Sequence, residues 1–137
     1  MGLYLCIFDG TEEIDGVEVG SYDDFGFFRD TIASVVEGGQ PGSRCPTLMN
    51  HHDSDGEWSS AEASQLIAEL DLIGIAFCKR PPVEFNSDWQ KRLAKAIGLV
   101  PKTLLDCFFD VDGEPLLDRL RGLAEQSVGR ELPILFQ

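Results

Sequence analysis

The chain has 137 residues, 43% of them hydrophobic, including nine Phe. That is enough apolar material to bury a normal core in one domain spanning residues 1–137, and too much for a disordered segment. Its 24 acidic residues outnumber 11 basic ones, for a formal charge of −13; this argues against nucleic acid as a direct partner and favours a basic protein, whose opposite field speeds encounter.

Leu3 to Phe8 is a short apolar run that suits a buried strand. It lacks a basic flank and stops too early for a signal sequence or membrane span, so a cytoplasmic protein is expected. Cys6 stands where myristoylation of Gly2 would want Ser or Thr. Asp9-Gly10 and Asp15-Gly16 bracket an acidic connection, and Val17-Glu18-Val19 alternates, which predicts a β-hairpin with a long loop. Ser21 or Asp23 then caps a helix with Phe25, Phe28, Ile32, Val35 and Val36 on one face, stopped by Gly38-Gly39. Cys45 to Met49 reads as another strand.

Ser59 and Glu62 form a capping box, and Ala63, Leu66, Ile67, Leu70, Ile73 and Phe77 follow at helical spacing until Pro81-Pro82. A shorter helix starts near Ser87, with Trp89, Leu93, Ala96 and Ile97 on its buried side and Gly98 at its end. Pro101 begins a single helical turn, and Cys107 to Val111 is read as extended. Pro115 takes the first position of a last helix built on Leu116, Leu117, Leu120, Leu123, Ala124 and Val128. Leu132 to Phe136 closes the chain as a strand whose proline suits an edge or a strand start. The expected fold is α+β: a small, mostly antiparallel sheet of four or five short strands covered by about four helices. The four cysteines form no CxxC pair and are read as reduced, buried thiols.

Two segments carry most of the chemistry, DSDGE at 53–57 and DVDGE at 110–114, each just ahead of a helix. Glycine permits a sharp turn, aspartate closes side-chain-to-backbone turns, and acidic groups favour helix N-termini. Counted from His51, the first segment also matches a calcium loop at Asp53, Asp55, Gly56, Ser59 and Glu62. A histidine at the first ligand position counts against that match, and Arg119 at the twelfth position of the second segment removes it there. A Ca²⁺-type regulatory module on the His51–Glu62 loop is thus the alternative reading. With two His, and no H-E-x-x-H, G-x-S-x-G or P-loop pattern, neither enzyme activity nor a cofactor is expected.

Trp58 staples onto the following helix or, if exposed, anchors a binding surface with Asp53, Asp55 and Glu57 as its charged rim. The candidate partner-binding residues are therefore His51, Asp53, Asp55, Glu57 and Trp58 from the first segment, and Asp110, Asp112 and Glu114 from the second.

Three stretches, MGLYLCIFDG with EIDGVEVGSYDDFGFFRD, PTLMNHHDSDGEWSSAEASQLIAEL, and LLDCFFDVDGEPLLDRL with LPILFQ, together resemble the immunity protein 70 family of bacterial polymorphic-toxin systems. The resemblance spans nearly the whole chain. It implies a small cytosolic protein that neutralises a cognate toxin by binding it, with no catalytic residues to transfer. A toxin that attacks nucleic acid would be basic, and an acidic partner could fill its phosphate-binding cleft.

Overall fold

The computed structural model describes residues 2–52 and 55–137. Its first two strands, β1 (Gly2–Asp9) and β2 (Glu12–Ser21), pair antiparallel across the two-residue turn Gly10-Thr11. Gly10 has φ 66, as the tight turn of a hairpin requires. The acidic stretch expected as a long loop is therefore strand. Its alternation is hidden because the register shifts at Leu3/Tyr4 and at Ile7/Phe8, leaving Val19 and Ile14 as extra residues in β2. Gly16 is not a turn residue. It lies in β2 beneath Tyr4, and a Cβ there would collide with the Tyr4 ring.

Helix α1 (Tyr22–Val35) starts at Ser21, whose hydroxyl accepts from the Asp24 amide while the Asp24 carboxylate accepts from the Ser21 amide. Residues 45–49 correct the expected strand: they form a single helical turn, α2 (Pro46–Met49), with Pro46 at its first position. Glu57–Trp58 is a two-residue strand, β3, followed by α3 (Ser60–Phe77) with the expected Ser59–Glu62 capping box. Next come α4 (Asp88–Ile97), closed by Gly98 at φ 72, and a 3₁₀ turn at Leu104–Cys107. The last helix, α5 (Leu116–Arg130), leads to β4 (Ile134–Phe136). Pro115 stands one position earlier than expected, as the residue that caps α5.

The sheet runs β2-β1-β4-β3 and every pairing is antiparallel, so the α+β expectation holds. Pro133 sits just ahead of β4, which is an inner strand and not an edge. Leu3, Leu5, Ile7 and Val17 point into a core shared with Phe25 and Phe28 of α1, Leu66 and Ile73 of α3, and Leu120 and Leu123 of α5.

The apolar stripe of α4 departs from expectation. Gln90 and Ala94 are its buried residues, while Ile97 is 51% exposed. A polar anchor sets its orientation: Ser87 and the Trp89 indole both hydrogen-bond Asp24 of α1. Its Leu93 and Ile97 side chains then turn toward Gly113 in the second acidic segment. Among the described residues no helix is long and apolar enough to cross a membrane.

Candidate functional site

Among the described residues four carboxylates are turned inward, each as a receptor for donors from irregular backbone or from distant side chains. Glu37 accepts from the Gly42, Arg44 and Cys45 amides. Glu69 of α3 accepts from the Thr47 and Leu48 amides at 3.1 and 3.0 Å. Asp24 accepts from Ser21, Asn86, Ser87 and Trp89. Burial raises its proton affinity, but those hydrogen bonds to the ionised form outweigh burial and hold its pKa below the ordinary carboxylate value. Asp110 is the fourth. A buried carboxylate needs several donors to offset its lost hydration, and those gathered here tie each group to the segment that supplies them.

The second turn is built on Asp110, which is 1% exposed. Its Oδ1 accepts from the Asp112 and Glu114 amides, each at 3.0 Å, and Gly113 takes φ 84 to close the loop. The Arg119 guanidinium, one turn into α5, reaches Asp110 Oδ2 at 3.2 Å and the Gly16 carbonyl at 2.6 Å. The residue that spoils the calcium pattern is thus the counter-ion that ties the turn to the hairpin. The Val111 amide adds a bond to the Glu18 carbonyl on the edge of β2. Asp112 and Glu114 remain exposed on the turn's outside.

The first turn is held by rings. The His51 imidazole stacks on Phe136, with centroids 4.0 Å apart, and Trp58 meets Phe136 edge-on at 4.7 Å. His51 Nδ1 lies 2.6 Å from the His52 carbonyl oxygen and Nε2 lies 3.0 Å from that of Glu57. A neutral ring donates to one of these and a protonated ring to both. Gly56, at φ 88, lets the ring approach and gives its carbonyl to the Phe136 amide. Trp58 is 1% exposed, and its Nε1 donates to the Thr47 carbonyl at 2.9 Å.

Two expected contact residues are therefore corrected. Trp58 belongs to the core, so the condition for its anchoring a surface fails. The Asp110 carboxylate faces its own loop and not solvent. His51 is a half-buried bracket of the turn, while Asp55 and Glu57 are exposed and Asp53 lies outside the described residues. The two turns come from opposite ends of the sheet: the first is fastened to β4 and β3, the second to β2.

The groups that a calcium loop would use are engaged otherwise. The calcium reading needs the Glu57 carbonyl, Ser59 and Glu62 to converge. Here the carbonyl meets His51, and Ser59 and Glu62 close the helix cap on each other's amides. Among the described residues no group of three or more His, Cys, Asp or Glu could hold a metal ion. A pocket of about 280 Å³ between Ile97, Phe109 and Leu117 is mostly apolar, and Asp106 on its wall is engaged with the Lys102 and Thr103 amides.

Sequence reasoning missed the inward carboxylates. Asp24 was legible as the third residue after the Ser21 cap, and Glu69 as an acid between the apolar positions Leu66, Leu70 and Ile73. Glu37 left no signal, since it follows the helix in a glycine-rich loop.

Fold and turns define a small acidic α+β protein that presents braced turns and a sheet, with helices over one face of that sheet. The Immunity protein 70 family model matches residues 3–136, and the chain belongs to that family. It is thus an immunity protein, a class that acts against a toxin. Comparison with curated proteins and with solved structures finds no match.

Proposed function

We propose that the protein neutralises a cognate polymorphic toxin in the cytoplasm by binding it directly, and that the toxin surface it covers is basic, as on a nuclease-type toxin. The observation that carries this reading is how the carboxylates divide. Asp24, Glu37, Glu69 and Asp110, which fasten separate segments together, are buried, whereas Asp55, Glu57, Asp112 and Glu114 are exposed and their side chains hold no other group among the described residues. They add to the negative field that steers a cationic partner. We place them, with Asp53, among the contact groups; neither nucleic acid nor a membrane is a partner in this reading, and no step of it is catalytic.

The test is co-expression with the toxin encoded by the neighbouring gene. Growth should be restored, and the two proteins should co-elute on size exclusion with an association rate that falls steeply as salt rises. Absence of both rescue and complex refutes direct neutralisation.

A further inference from the structure

The strands alternate, so the residues that do not enter the helix-covered core share the opposite face of the sheet. Cross-strand pairs show which they are: Tyr4 with Glu18, Cys6 with Gly16, Phe8 with Glu13, Cys6 with Leu135, and Glu57 with Leu135. Among the described residues Tyr4, Cys6, Phe8 and Leu135 fall outside the main core cluster. Cys6 is nonetheless fully buried, and Tyr4, Phe8 and Leu135 are half-buried. They form a thin apolar layer on the face away from the helices. Tyr4 lies flat across Gly16, its hydroxyl donating to Glu13 Oε1 at 2.8 Å.

Charge on this sheet is one-sided. The four strands carry Asp9, Glu12, Glu13, Asp15, Glu18 and Glu57 and no Lys, Arg or His. Arg119 comes within 3.8 Å of Asp15, which pairs with the core residue Ile7 and so sits on the helix side. The basic residues concentrate elsewhere: six of the 11 lie in the segment from Lys79 to Lys102, which has two acidic residues, Glu84 and Asp88.

We infer that this open face, centred on Tyr4, Phe8 and Leu135 and rimmed by Glu13, Glu18 and Glu57, is where the toxin docks through a basic surface. The inference rests on the neutralisation by binding proposed above and adds the surface that performs it. An apolar centre inside a charged rim is the anatomy of a protein interface. Arginine side chains of the partner would stack on the Tyr4 and Phe8 rings while pairing with the glutamates. Charge decides against a second copy of this chain, because two such faces would oppose like charges. Glu57 joins this face to the first acidic turn.

The experiment titrates the inactivated toxin domain encoded by the neighbouring gene against wild-type protein, Glu13→Lys/Glu18→Lys, and Asp30→Lys/Glu84→Lys, which makes the same charge change off the sheet. The sheet variant should bind about 100-fold more weakly, and the off-sheet variant within about threefold of wild type. Because Glu13 also holds Tyr4, hydroxyl-radical footprinting of the wild-type complex gives a second readout that needs no substitution: Tyr4, Phe8 and Leu135 should become protected. Unchanged affinity of the sheet variant, or protection that leaves these three residues reactive, overturns the docking face while direct binding stands. Failure of wild type itself to bind overturns the underlying function. If the protein alone is a dimer with these residues already protected, the face is a self-association surface and the inference fails.

Discussion

Replacing Glu69 by Gln probes whether inward carboxylates, and not apolar contacts alone, order the region from Cys45 to Trp58. Glu69 is 7% exposed, and its two oxygens take the amides of Thr47 and Leu48, 22 and 21 positions away. Gln supplies one oxygen and turns an NH₂ group toward the other amide, so one buried donor is orphaned and the remaining bond loses its charge. An unsatisfied buried donor costs about 1–3 kcal/mol and the lost charge assistance about 1 kcal/mol, for a total of about 2–4 kcal/mol. For a chain of this size that lowers Tm by roughly 8–16 °C. Urea unfolding followed by circular dichroism should show the midpoint fall with an unchanged m-value. Because the Trp58 indole donates to the carbonyl of the same Thr47, a cycle with Trp58→Phe should show a coupling of about 0.5–3 kcal/mol. A loss below about 0.5 kcal/mol for Glu69→Gln, or strict additivity with Trp58→Phe, would refute the reasoning.

Two other predictions follow from titratable groups. Asp24 has a folded pKa below its unfolded value of about 3.9, so its stabilisation is complete above that value and is lost as pH falls through the folded one. Asp24→Asn should therefore be less stable at neutral pH yet lose less on acidification, as read from denaturation midpoints at several pH values. Burial pushes up the thiols of Cys6, Cys45 and Cys107, Cys45 to about 12 with Glu69 and Glu37 adding to the effect, whereas Cys78 is exposed. Iodoacetamide at about pH 8 should modify Cys78 alone in the native protein and all four cysteines in urea, with sites assigned by peptide mass.

What could be read from the residues was the local grammar of helices. The Ser59–Glu62 box, the Ser87 start with its Gly98 stop, and the steps of three and four before Phe77 each depend on neighbours within one or two turns. The hairpin was misread because bulges at Ile14 and Val19 break the alternation that marks a strand, and because Gly16, a clearance for Tyr4, looks like a turn glycine. Cys45 to Met49 is too short for any period to identify it. The candidate site was legible as chemistry but not as direction. Asp110 and Asp112 are indistinguishable in an Asp-x-Asp-Gly turn, and the Arg119 guanidinium, nine positions away, draws only the first inward. Likewise, the condition attached to Trp58 could be resolved only by Thr47 and Phe136, whose approach no local pattern encodes.

The placement of β4 has a consequence for the timing of synthesis. Leu5 pairs with Phe136, 131 positions later, and β4 also supplies the sheet neighbour of β3. On the ribosome the hairpin and α1 can form early, but β1 keeps one edge bare, and Trp58 and His51 lack the Phe136 ring, until β4 emerges several seconds later at about 5–20 residues per second. The face carried by the sheet is complete only when the last strand is seated. Protection by this protein would thus begin only once β4 has been made, and a nascent chain would carry an unpaired strand edge until then.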